Sequence, residues 1–325
     1  GDTGSAAVEA FKGISNVNLY VLYPHERISQ IQRKQMTTSN AKNVKVFAVQ
    51  GTFDDCQLIV KELFADKVLV SDFNLSGVNS INWARILVQI IYYFSAFYQL
   101  KDLSAGNLSF SVPTGNFGDA YAGYISKRMG LPINKIIVAT NTNDILDRVF
   151  KTGVYKSERV SKTLSPSMDI QVASNFERLL FDLLNNDTKE VRRLMNNLSN
   201  KGHFNLEKKL LTRVSKDFDS GAVTDSDTIA TINHFYNERE IVLCPHSAIG
   251  VHVAKDFIDI GETVISLGTA HPAKFKETVE SALEVSIPIP QALELIMQKQ
   301  ESVRVIPASR QKVAEEIRKS YLREN

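Results

Sequence analysis

The chain has 325 residues, of which 43% are apolar and 23% charged, and a formal net charge of +2. That length holds two domains around sizeable cores, and the composition is ordinary for a globular protein. Basic residues are dispersed among acidic ones, so nothing points to nucleic acid or a membrane as partner, whereas phosphate-sized anions stay possible.

From Gly1 to about Ser80 helical and strand patterns alternate. "SAAVEAFKG" predicts a helix, "VNLYVLYP" a buried strand and "ISQIQRKQMTT" a helix; "VKVFAVQ" follows as a strand and "FDDCQLIVKELF" as an amphipathic helix. Strands separated by helix-length segments argue for an α/β fold, two parallel or mixed sheets covered by helices. "ILVQIIYYFSAFYQL" is the longest apolar run, and Gln89 and Ser95 interrupt it short of a membrane span. The strand "LSFSV", a helix, the strand "INKIIVAT" and the helix "NDILDRVF" continue the rhythm. Residues from about 175 to 238 then read as a polar, strand-poor, all-helical insertion. "REIVLC" predicts a strand, a helix begins near His246, "TVISLG" predicts another strand, and a helix follows Pro272. "PASRQKVAEEIRKSYL" closes the chain as a surface helix. This divides the chain into residues 1–80, a smaller α/β domain, and 81–325, a larger one with the insertion and the C-terminal helix.

Cys56 and Cys244 have no CxxC spacing and read as buried small apolar residues, which suits a cytoplasmic, reducing location. In "SVPTGNFGDAYAGYISKRMG", Ser111 to Gly130, a strand stops at Pro113, two glycines bend the chain, and a helix begins. Glycines let backbone N–H groups converge on a ligand, and the helix start adds unpaired amides and a positive dipole end. A phosphate fits that chemistry; a tight turn that binds nothing fits the spacing equally well. The stretch is neither a Walker loop nor a dinucleotide fingerprint.

"GDTGSAA" is a second turn of this type, with Asp2 or Thr3 as ordinary helix caps. "GVNSINWARI" is a third: Asn79 and Ser80 precede a helix carrying Arg85 in its first turns. An arginine at the positive end of a helix is unfavourable unless an anion shares the site, although many simply reach solvent. "SLGTAHPAKF" supplies His271 and Lys274; a desolvated lysine could form a Schiff base, but the first turn after Pro272 makes solvent the expected neighbour. His246 and His252, six residues apart, do not share a helix face, and no cluster has metal-ligand spacing.

Ten stretches together, among them "GDTGSAA", "YPHERISQIQRKQM", "GTFDDCQ", "NSINWARILVQ", "PTGNFGDAYAGYISKRMGLPI", "ATNTNDILDR", "LSPSMDI", "ASNFER", "PHSAIGV" and "GTAHPAKF", resemble threonine synthase. That family belongs to the fold type II, tryptophan-synthase-β-like enzymes that use pyridoxal 5'-phosphate. The resemblance implies that Gly115, Asn116, Phe117, Gly118 and Asp119, with Asp2, hold the cofactor, and that Thr269 faces its pyridine nitrogen. It implies a second phosphate site, for substrate, at Thr3, Asn79, Ser80 and Arg85. The implied reaction converts O-phospho-L-homoserine and water into L-threonine and phosphate. The family's Schiff-base lysine lies upstream of the GDTG turn, so the sequence reads as lacking that segment and is not expected to complete the cycle by itself. Two other readings follow from the same text: a phospho-lyase releasing a keto acid, and a non-catalytic module that binds pyridoxal phosphate or phosphate.

Overall fold

A computed structural model describes residues 1–100, 108–258 and 263–324. They form two compact units, Gly1–Asn79 with Pro288–Asn325, and Ser80–Ile287. In chain order the first unit begins with α1 (Asp2–Phe11), β1 (Leu19–Pro24), α2 (Gln30–Thr37), β2 (Val44–Gln50), α3 (Phe53–Ala65) and α4 (Lys67–Phe73). The second unit opens with α5 (Trp83–Leu100), β3 (Leu108–Pro113), α6 (Gly118–Arg128), β4 (Ile133–Thr140), α7 (Ile145–Thr152) and β5 (Val154–Lys156). It continues through α8 (Phe176–Leu183), α9 (Thr188–Lys201), β6 (His203–Asn205), α10 (Lys208–Asp217), β7 (Phe218–Ala222) and α11 (Asp225–Arg239). α12 (Pro245–Lys255), β8 (Thr263–Ser266) and α13 (Lys276–Leu283) complete it. The chain then returns to the first unit with α14 (Gln291–Met297), β9 (Arg304–Pro307) and α15 (Arg310–Glu324).

The first unit is built on a parallel sheet of order β1-β2-β9. Strand alternation assigns its two faces. Val44, Val46 and Ala48 join α1 and Met36 of α2 on one face, while Phe47 and Val49 join Cys56, Leu63, Leu69, Ile306 and Ile317 on the other. Ser29 and Gln32 start α2 with a capping box, and Thr52 and Asp55 start α3 in the same way.

The second unit carries a four-stranded parallel sheet, β7-β4-β3-β8. β3 is buried from Leu108 to Val112 and β4 from Ile136 to Thr140, and α6 and α12 pack against both strands, giving the cover that parallel sheets require. α12 lies across this sheet, and Gly250 allows the approach. A Cβ there would stand 2.8 Å from the Pro113 ring and from Ser266 Oγ.

Four expectations need correction. Order along the chain puts the C-terminal helix with the larger domain, yet β9 pairs with β2 and Val313, Ala314 and Ile317 of α15 enter the first unit's core. The insertion is not all-helical, because Phe218–Ala222 pairs with Ile136–Thr140 as a sheet-edge strand. "FDSGA" has no alternation to reveal that, and the waiting edge of β4 supplies the partners. "REIVLC" forms no strand; its end becomes the N-cap of α12, with Cys244 Sγ accepting from the Ser247 N–H. The first helix starts at Asp2 with Gly1 as N-cap, so neither Asp2 nor Thr3 caps it. Gly4 therefore lies inside α1, where a Cβ would stand 2.5 Å from Met36 Sδ.

Candidate functional site

β3 ends at Pro113, and the next four residues turn into α6. In an open parallel sheet, ligands bind beyond the carboxyl ends of the strands, which is where this loop lies. Phe117 is the hinge of the turn. Its backbone is left-handed, φ 62°, a strained conformation for a residue with a Cβ. Aromatic packing holds it there: the ring is 1% exposed, with Phe176 and Phe218 at 5.7 and 5.6 Å. Its side chain thus belongs to the core, and the backbone is what Phe117 can offer a ligand.

A cleft of about 140 Å³ is lined by Ser80, Arg85, Gln89 and Pro113 through Ala120. The loop needs its glycines. A Cβ on Gly115 would lie 3.1 Å from the Ser167 carbonyl oxygen and 3.3 Å from Met168 Cα, backbone atoms that cannot yield. A Cβ on Gly118 would meet Asn175 Nδ2 at 3.4 Å, Gln89 Oε1 at 3.7 Å and the Ser80 carbonyl at 3.8 Å, so a larger side chain would fill the cleft. The Ser167 backing is itself held, its N–H donating to His246 Nε2 at 3.2 Å.

Two lining groups, Ser80 Oγ and Asp119 Oδ1, are buried with no hydrogen-bond partner among the described residues. Burial pushes the Asp119 carboxyl up to about 6, partly offset by the neighbouring Tyr93 hydroxyl. That hydroxyl donates to the Asp119 backbone carbonyl at 2.8 Å, tying α5 to α6. Burial lowers the pKa of Arg85, whose guanidinium nonetheless stays charged. A cation, a helix N-terminus, glycine-freed amides and unsatisfied polar atoms on one small cleft suit a tetrahedral oxyanion such as phosphate.

The structure brings Gly115–Asp119 together with Ser80 and Arg85. Ser80 and Arg85, expected at the second phosphate site, thus line the same cleft as the loop expected to hold the cofactor phosphate. Thr269 is not among the residues lining this cleft; its N–H donates to Ser247 Oγ at 3.3 Å. It follows β8, the parallel neighbour of β3, so it leaves the sheet at the same edge as the loop. Asp2, Thr3 and Asn79 lie in the first unit. Lys274 falls in a 3₁₀ turn, Pro272–Phe275. No group of three or more His, Cys, Asp or Glu among the described residues could hold a metal. Gln89 and Asn175 were missed by sequence reasoning; nothing in their spacing marks them, since the fold alone brings them to the loop.

The fold and cleft define an α/β protein with a glycine-built, polar cleft at the carboxyl edge of a parallel sheet, of a chemistry that suits a phosphate-sized anion. A family model described as "Pyridoxal-phosphate dependent enzyme" matches residues 1–270, and one described as "Threonine synthase, C-terminal" matches 247–317. The threonine synthase of Pseudomonas aeruginosa is 45% identical over 315 residues, covering 96% of this chain and 67% of that protein. The Saccharomyces cerevisiae enzyme is 47% identical over 302 residues, covering 87% of this chain and 59% of that protein. A crystal structure of threonine synthase with bound pyridoxal phosphate, from Brucella melitensis, superposes with a TM-score of 0.86 at 46% identity, over 98% of this chain and 69% of that one. The chain belongs to the threonine synthase family of pyridoxal-phosphate dependent enzymes. It spans about three fifths to two thirds of the length of these relatives.

Proposed function

We propose that this chain carries the phosphate-recognising part of a threonine synthase, which makes L-threonine and phosphate from O-phospho-L-homoserine and water in threonine biosynthesis. The observation that carries the reading is the cleft where Arg85, Ser80 and the Gly115–Asp119 loop meet. The fit to a phosphorylated cofactor rests on Gly115, whose Cβ would crowd backbone atoms, on Gly118, where a side chain larger than a methyl would fill the cleft, and on two unsatisfied buried oxygens.

The Gly115–Asp119 amides and the N-terminus of α6 would hold the phosphate of pyridoxal 5'-phosphate. When bound, that group supplies a ring that stores carbanion charge while protons leave the substrate. We assign Thr269 to the pyridine nitrogen, since a neutral hydroxyl suits a ring in this fold class, and Asp2 to the cofactor as well. Arg85 and Ser80 would receive the phosphate of the substrate, with Thr3 and Asn79 as further candidates from the family resemblance. The guanidinium neutralises charge on the departing phosphate and orients it for loss from Cγ. Asp119, buried and titrating near 6, presents a carboxyl that donates a hydrogen bond to a bound phosphate when protonated. We place the protein in the cytoplasm, supported by two buried, free thiols of which Cys56 is pushed up to about 12 by burial. No described helix is long and apolar enough to cross a membrane.

The test is product analysis on O-phospho-L-homoserine with a chain extended to include the family's Schiff-base lysine segment and loaded with pyridoxal phosphate. Threonine together with free phosphate supports the reading. A keto acid in its place makes the protein a phospho-lyase, and an untouched substrate rejects both.

A further inference from the structure

None of the roles above uses the segment Ala173–Arg178, yet it is bonded to both walls of the cleft. Asn175 is fully buried, 0% exposed. Its backbone N–H and its side-chain Nδ2 both donate to the Asn116 carbonyl, at 3.1 and 3.0 Å. The same Nδ2 donates to the Ser80 carbonyl at 2.9 Å. One amide thus bridges the chain leading into α5 and the glycine loop, segments 95 and 59 residues away from it. Asn175 Oδ1 in turn accepts from Arg178 Nε at 3.0 Å, and Arg178 Nη2 donates to the Ile81 carbonyl at 2.7 Å. The Arg178 guanidinium also lies over the Trp83 ring, 5.4 Å from its centroid.

Two donors on one carbonyl fix the orientation of the Asn116–Phe117 peptide. A trans peptide carries its N–H antiparallel to its C=O, so a carbonyl held toward Asn175 aims the Phe117 N–H to the opposite side. The left-handed backbone at Phe117 needs such anchoring, and the next residue in the segment, Phe176, packs on the Phe117 ring. We propose that Asn175, braced by Arg178, is the positioning residue of the phosphate cradle, setting the direction of the loop amides and the spacing between the loop and the Ser80–Arg85 wall. The proposal rests on the reading that this cleft takes the cofactor's phosphate.

Pyridoxamine phosphate and pyridoxamine separate positioning from mere stability. Both carry the ring, only one carries phosphate, and neither has an aldehyde to react with surface lysines. In calorimetric titrations of the protein, Asn175→Ala binds pyridoxamine phosphate about tenfold more weakly, the loss of one or two hydrogen bonds, with pyridoxamine unchanged. Arg178→Lys, which keeps the charge but loses the two-pronged brace, shows the same selectivity at about threefold, and decides the matter alone if Asn175→Ala does not fold. Equal losses for the two ligands, or no loss for the phosphorylated one, overturn the proposal. Gly118→Val distinguishes the two levels. If it abolishes pyridoxamine phosphate binding while the Asn175 and Arg178 variants bind normally, the positioning role fails and the cradle stands. If it leaves that affinity intact, the cradle reading fails and the proposal falls with it.

Discussion

Arg85 and Asp119 carry opposite charges on the wall of one cleft, and each makes a distinct demand on experiment. A charged hydrogen bond to phosphate contributes about 1.5–3 kcal/mol, so Arg85→Ala should raise KM for O-phospho-L-homoserine roughly 10–100-fold. Cofactor affinity should fall much less, and equal losses in both would reject the substrate role. Asp119 is measured through stability. Its folded pKa of about 6 lies above the usual aspartate value, so the native state holds the proton more tightly than the unfolded chain. The associated stability is fully present below that usual value and is lost as pH rises through about 6. A shift of about two units sets a ceiling of about 3 kcal/mol. Urea unfolding should therefore show the unliganded protein losing stability from pH 4 to 7 relative to Asp119→Asn, which removes the titration. Parallel pH curves for the two proteins would show that Asp119 is not buried as described.

At the scale of elements, glycines set how closely helices and loops approach. Gly123 of α6 faces Tyr93 of α5, and a Cβ there would stand 2.6 and 2.7 Å from ring atoms. That ring cannot move aside: it is 0% exposed, bonded to the Asp119 carbonyl, and 4.8 Å from Phe110. Gly123→Ala should destabilise the protein by about 1–3 kcal/mol through overpacking, despite the gain of up to about 1 kcal/mol in helix propensity. A denaturation midpoint at or above that of the wild type would contradict this packing. Gly115→Ala tests the loop: with backbone on both contacts, the loop must shift, and pyridoxamine phosphate affinity should drop without a comparable loss of stability. The strand-turn-helix around Gly115 was legible because the apolar run, the glycines and the helical spacing are consecutive. The strand at Phe218–Ala222 was not, because its existence depends on the free edge of β4.

For the whole molecule, the C-terminal residues matter most. Ile306 is 2% exposed and packs with Phe47 and Val49, more than 250 residues earlier in the chain. Ile306→Ala should cost about 2–5 kcal/mol in the unfolding of the first unit. A change below about 0.5 kcal/mol, read by urea denaturation, would mean that β9 does not complete that sheet. Reading along the chain placed this segment with its neighbour in sequence, the larger domain. The β2 edge places it instead with residues it follows by most of the chain's length.

The α/β class, the glycine-bent strand-turn-helix and the family motifs were determined by the sequence alone, since each is written in consecutive residues whose local preferences agree. Tertiary structure decided which distant segments share a wall. It put Ser80 and Arg85 against the Gly115–Asp119 loop, brought Asn175 between them, and moved the C-terminus into the first unit. Local patterns fix how each segment folds, but hydrogen-bond partners tens or hundreds of residues apart are chosen only when strand edges and buried polar groups are satisfied together.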